Sequence, residues 1–246
     1  MFHLQELNLE SNPLTEIPKE ISALHALTSL NISHSYLTQL PETFSRLTSL
    51  EELYFYSNQF ATFPTVVSRL ENLREIGLSN NRLPRVVQEV GNFCELKTVV
   101  CLVNDGAAFL NAGFSIAHLK KVAQRKNGAA GLTAFRDLHA YLLATNFTHH
   151  EVIRVASRPH GAAELTCLAK HGAGMLAAGF TTEQLLDILL RSGGIQRLNH
   201  LAVHQAALQQ LGHTPQTLTD QAIAPAMTVV KLRTWLMDEA HASMPS

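Results

Sequence analysis

Apolar and polar positions alternate in a fixed frame along the first hundred residues. Leu4, Leu27, Leu50, Leu73 and Leu96 follow one another at intervals of 23. Leu4-x-x-Leu7-x-Leu9-x-x-Asn12 opens the first frame. Leu27-x-x-Leu30-x-Ile32, Leu50-x-x-Leu53-x-Phe55-x-x-Asn58 and Leu73-x-x-Ile76-x-Leu78-x-x-Asn81 open the next three. Alternation of this kind predicts a short strand with one buried side. The residues between the leucines then point the other way: Glu6, Asn8 and Glu10, then Ser29, Asn31 and Ser33, then Glu52, Tyr54 and Tyr56, then Glu75, Gly77 and Ser79. Asn12, Asn58 and Asn81 stand where the chain leaves each strand, and a buried amide there can satisfy backbone groups that the turn would orphan. Ser35 takes that place in the second frame, so its rung is expected to be weaker. The return arm keeps register through Leu14, Leu37, Phe60 and Leu83. Pro18, Pro41 and Pro64 follow at one position, where a missing donor stops regular sheet, and Val87 breaks that series. Ile21, Phe44, Val67 and Val90, with Leu24, Leu47, Leu70 and Phe93, complete the expected core.

These frames resemble the leucine-rich repeat, four full units and a partial fifth, which implies stacked units and a concave strand face that binds proteins. The outward residues Glu6, Asn8, Glu10, Asn31, Ser33, Glu52, Tyr54, Tyr56 and Glu75 are the candidate binding surface. Two tyrosines ringed by carboxylates suit an aromatic anchor with a charged rim, so a protein partner with a basic surface is expected.

A second period follows Asn104-Asp105-Gly106. Phe114, Phe147 and Phe180 are 33 apart, as are Leu132, Leu165 and Leu198, and Gly128, Gly161 and Gly194. Each unit predicts two helices. The first starts at a hydroxyl cap, Ser115, Thr148 or Thr181, and the second follows a glycine-containing loop. Residues 147–165, Phe-Thr-x-x-x-Val-Ile-x-Val-Ala-Ser-x-x-x-Gly-x-x-x-Leu, resemble the repeats of transcription-activator-like effectors, over 114–212. The resemblance implies that the loop pairs Arg125-Lys126, Arg158-Pro159 and Arg191-Ser192 face nucleic acid. None is a common base-reading pair, and the family's Gly-Gly before Lys-Gln is replaced by Asn127-Gly128-Ala129-Ala130 and His160-Gly161-Ala162-Ala163. Sequence-specific binding is therefore not expected. Arg125, Lys126, Arg158 and Arg191 remain the candidates for nucleic-acid contact. A final helix at about 225–240, with Trp235, is expected to cap the stack.

Charge adds one distinction. Residues 1–102 carry 7 basic against 11 acidic side chains, and 114–212 carry 10 against 5. No apolar run reaches the ~18 residues of a membrane span. Met1 leads straight into the first unit, with neither a signal peptide nor a shielding cap, as in a trimmed form of a longer protein. Three cysteines at irregular spacing suggest a reducing compartment. Cys94 and Cys101 are expected to pack as small hydrophobes.

The chain lacks a phosphate loop, a dinucleotide fingerprint, a nucleophile elbow and a His-Glu-x-x-His segment. It also lacks the catalytic Cys-x-Asp of leucine-rich-repeat ubiquitin ligases. Cys167 with His171, and His200 with His204, have ligand spacing along a helix. Stacked helices lie ~8–10 Å apart, too far for equivalent side chains to share one tetrahedral ion, so no metal or cofactor is expected.

The sequence thus predicts an α/β leucine-rich-repeat solenoid over 1–104, then an all-α helical-repeat domain over 105–246. It predicts a non-enzymatic interaction module. The combination resembles effectors that intracellular bacterial pathogens deliver into host cells, which implies a bacterial origin, export into the host and a host protein as partner. The alternative is a nucleic-acid binder that uses the helical repeats.

Overall fold

A computed structural model describes residues 3–91, 95–125, 127–225 and 227–242. The chain divides into two compact units, residues 1–133 and 134–246.

In the first unit the alternating frames form four strands: β1 (Glu6–Asn8), β2 (Ser29–Asn31), β3 (Glu52–Tyr54) and β4 (Glu75–Gly77). They pair in parallel in sequence order. Leu7, Leu30, Leu53 and Ile76 stand opposite one another, so the pairing register equals the sequence period. Leu30, Leu53 and Ile76 are buried with Ile32, Phe55 and Leu78. The return arms are 3-10 helices at Lys19–Ala23, Glu42–Arg46 and Thr65–Arg69, each entered from Pro18, Pro41 or Pro64. The ring fixes φ near the value the helix needs, and the lost N–H would have been unpaired there. In the fourth frame Pro84 has this role and the arm is a true helix, α1 (Arg85–Val90).

Between strand and arm the asparagines form the expected ladder. Asn58 Nδ2 donates to Ile32 O at 2.9 Å and to Phe55 O at 3.3 Å, while Asn58 Oδ1 accepts from Leu37 N at 2.9 Å. Asn81 repeats this with Phe55 O, Leu78 O and Phe60 N. Ser35 makes one such bond, from Oγ to Asn12 O at 2.6 Å, and Leu14 N bonds Asn12 O instead of a side chain.

The partial fifth frame is not a strand. Leu96–Leu102 lie in α2 (Leu96–Asn111), which runs without a break through the expected boundary at 104/105. Val99, Leu102, Gly106 and Phe109 are buried. Their three- and four-residue spacing makes a helical stripe, and it overrides the leucine frame. Phe93 and Cys94 lie outside the described residues; Cys101 is buried in α2.

The helices that follow are α3 (Ile116–Ala123), α4 (Gly128–Ala144), α5 (His149–Ala156), α6 (Gly161–Ala177), α7 (Thr182–Leu189), α8 (Gly194–Gln210), α9 (Pro215–Ile223) and α10 (Val229–Ala242). The unit boundary falls inside α4. Short and long helices alternate. The long helices α2, α4, α6 and α8 end at Asn111, Ala144, Ala177 and Gln210, a constant step of 33. The short helices α1, α3, α5 and α7 end at Val90, Ala123, Ala156 and Leu189, the same step. The two-helix series therefore begins at α1, one unit earlier than the sequence indicates. It continues through α9 and α10, where a single capping helix was expected.

Backbone conformation marks the change of period. Ser11, His34, Ser57 and Asn80 have φ of 60°, 54°, 52° and 59°, 23 residues apart. Gly113, Asn146, Gly179 and Gly212 have φ of 95°, 70°, 92° and 91°, and each is 33 residues after its predecessor, counting from Asn80. Asn80 closes the last member of one series and opens the other. Asparagine tolerates this conformation better than most side chains.

Candidate binding face of the parallel sheet

Strand alternation turns Leu7, Leu30, Leu53 and Ile76 inward and sends their neighbours to the opposite side of the sheet. Glu6, Asn8 and Glu10 are exposed there; Asn31, Glu52, Tyr54, Tyr56 and Glu75 are half-buried. Ser33 departs from the expectation of a surface contact. It is only 1% exposed, because its Oγ accepts the backbone N–H of Tyr56 at 3.1 Å. A hydroxyl used in this way holds the sheet together and is not offered to a partner.

The twelve outward positions hold four glutamates and no lysine or arginine. Neutral groups orient three of the carboxylates. Ser29 Oγ donates to Glu52 Oε2 at 3.0 Å, and Asn31 Nδ2 donates to Glu10 Oε2 at 3.0 Å. Tyr54 donates its hydroxyl proton to Glu75. His34 lies 3.9 Å from Glu10 and would pair with it when protonated.

Tyr54 and Tyr56 stack with ring centroids 5.9 Å apart and planes 14° from parallel. The register Tyr54↔Gly77 puts a residue without a side chain beside them. A Cβ on Gly77 would lie 2.2 Å from Cζ of Tyr56, so the phenol end of Tyr56 occupies the space that any other residue would fill. Burial, then the bond to Glu75 and the charges of Glu52 and Glu75, push the Tyr54 phenol up to about 12. Burial and the charge of Glu75 push Tyr56 up as well. Both rings therefore stay neutral at physiological pH, as donors among acceptors.

The helical candidates have other partners. In the second unit, Nε of Arg158 pairs with the buried Glu164 at 2.9 and 3.1 Å, and Nη2 donates to Leu190 O at 3.2 Å. That arginine closes a helix end, where a carbonyl lacks its intrahelical donor. Arg197 stands 33 residues after Glu164 with the opposite charge, and it donates to Ser192 O, Ala222 O and Met227 O. Arg191 is exposed, and with Arg158, His160 and Glu164 it lines a cleft of about 400 Å³. In the first unit, Arg125 bonds the Lys121 carbonyl. Lys126 lies outside the described residues.

Among the described residues, no group of three or more His, Cys, Asp or Glu could hold a metal. Cys167 is buried against Asn199 at 3.6 Å. Burial pushes its thiol up to about 11, against a smaller opposite pull from Lys170, and a protonated thiol is a poor ligand. Burial lowers both His171 and His200. One histidine pair escaped the sequence: His139 Nε2 lies 3.0 Å from His149 Nδ1, with His139 stacked on Phe135. The ten-residue separation spans a turn between two helices, so no helical spacing announced it.

A family model described as a leucine-rich repeat region matches residues 1–123, half of the chain. The match runs to the end of α3, past the last strand. No curated protein matches the chain.

Proposed function

Because the chain belongs to the leucine-rich-repeat family, we propose that it is a non-enzymatic protein-interaction module whose outward sheet face docks a protein with a basic surface. The observation that carries this reading is the stacked Tyr54–Tyr56 pair, half-exposed among glutamates that no lysine or arginine of the face neutralises. Aromatic side chains are common anchors of interfaces, and a rim of one charge selects partners of the other. The joining of leucine-rich and helical repeats supports a bacterial effector that is delivered into a host cell and meets its partner there, a reading by analogy. No helix among the described residues is long and apolar enough to cross a membrane. The helical repeats act in this reading as a scaffold or a second protein-binding surface. The internal bonds of Arg158 speak against a row of loop arginines that reads a duplex.

The test is capture of host proteins on the immobilised chain, with and without nuclease. Capture is expected to survive nuclease and to fall at least tenfold in a Tyr54→Ala, Tyr56→Ala double variant, about the loss of one central anchor. Equal capture by that variant would refute the reading. Capture that disappears with nuclease would favour the nucleic-acid alternative.

A further inference from the structure

Two carboxylates, Glu52 and Glu75, beside two neutral phenols make a demanding surface to cover. An apolar partner would strip water from Glu52 and Glu75 and return no bond, a cost that buried charges do not tolerate. A cation recovers it. The register Glu52↔Glu75 places the two carboxylates on adjacent strands, ~4.8 Å apart in backbone spacing. The next outward pair along those strands is Tyr54 and Gly77. Carboxylates and rings are thus neighbours on one patch. The Ser29 and Tyr54 hydroxyls hold the carboxylates in place without cancelling their charge.

We propose that this patch holds an arginine side chain of the partner protein, stacked on the Tyr54–Tyr56 rings and paired with the carboxylates of Glu52 and Glu75. The inference rests on the sheet face being the docking surface, and it names what that surface recognises. Arginine fits better than lysine for two reasons. Its flat guanidinium can lie on a phenol face while its N–H fork meets a carboxylate. It is also more weakly hydrated than an ammonium, so it loses less on leaving water. Gly77 is part of the device, since only an absent side chain lets Tyr56 lie beside its partner ring.

The probes are Nα-acetyl-arginine amide, the equivalent lysine amide and the equivalent citrulline amide, which keeps the shape of arginine and removes its charge. Binding is read from the ring resonances of Tyr54 and Tyr56 in the intact chain, assigned with Tyr54→Phe and Tyr56→Phe. The arginine amide is expected to shift both rings saturably. The lysine amide should bind about threefold or more weakly, and the citrulline amide should give no saturable shift, as stacking plus bidentate pairing requires. Glu75→Gln should weaken the arginine amide about tenfold, in keeping with loss of one charged partner. Gly77→Ala moves Tyr56 without deleting it and should abolish the Tyr56 shift; unchanged thermal unfolding shows that the variant is folded. Equal shifts from arginine and citrulline, or full binding by Gly77→Ala, would overturn the inference. If the amides fail while capture of a protein still depends on Tyr54 and Tyr56, the arginine pocket falls and the docking face stands. If capture ignores the tyrosines, the docking face itself falls.

Discussion

The sheet of the first unit and the helical repeats of the second use periodic polar residues in opposite ways. On the sheet, recurring asparagines are spent on the backbone, whereas the outward carboxylates of Glu10 and Glu52 accept from the neutral side chains of Asn31 and Ser29. In the helices, the recurring arginine at 158 is spent on Glu164 and on the end of the next short helix. A polar residue that recurs in a repeat therefore marks either a surface or an internal joint, and the period alone does not separate them. Its neighbours do. A strand exposes alternate residues whatever their type, but a long side chain in a helix–helix loop can reach the unpaired carbonyls of the next helix.

The largest expected effect concerns a joint. Gly128, Gly161 and Gly194 begin α4, α6 and α8, and a Cβ on Gly194 would lie 1.9 Å from the Leu189 carbonyl oxygen. Backbone cannot yield as a side chain does, so Gly194→Ala should destabilise its unit by about 3 kcal/mol or more, read by denaturant unfolding. Second comes the ladder. Asn58→Ala would leave several buried backbone groups unpaired and should cost about 2–3 kcal/mol. Asn12→Ala, in the exposed first frame, should stay within about 1 kcal/mol. Equal losses would show that the amide ladder does not stack the frames. Third, Arg158→Ala would strand a carboxylate that is 5% exposed. Because the arginine is itself 34% exposed, about 2 kcal/mol is expected, below the full penalty of a buried pair. Arg191→Ala should change stability by less than about 0.5 kcal/mol.

The smallest stability effect is a pH dependence. Thr148 caps α5, and Glu151 closes the box by accepting from Thr148 N at 2.7 Å. Burial pushes the Glu151 carboxyl up, but bonds from Thr148 and Thr182 outweigh it and leave the group below its ordinary value. A depressed pKa in the folded state means that this stabilisation is present above the usual carboxylate range and is lost as pH falls through the folded value. Glu151→Gln should remove that acid-side slope, which unfolding midpoints measured from the ordinary carboxylate range downward would detect.

Much of the first unit could be read directly from the sequence, because a period-2 strand and an amide at the turn are local patterns. The 33-residue step was equally visible where Phe and Gly recur. Its beginning was not. Asn80 belongs to both series, and Leu96 satisfies the leucine frame while Val99, Leu102 and Phe109 satisfy a helix. Its last short helix was announced only by the junction Gly212-His213-Thr214-Pro215, since no phenylalanine precedes the Thr214 cap. Within the candidate site the tyrosines and glutamates were legible by alternation. The burial of Ser33 and the fit of Tyr56 against Gly77 were not, because both depend on neighbouring strands.

The central claim is that binding resides on the sheet face and not in the helical loops. The most direct measurement is the affinity of a purified, captured partner for three proteins side by side: wild type, Tyr54→Ala with Tyr56→Ala, and Arg191→Ala. The account predicts a loss of about tenfold or more for the tyrosine variant, with Arg191→Ala indistinguishable from wild type. An undiminished affinity in the tyrosine variant, with the loss in Arg191→Ala instead, would contradict it.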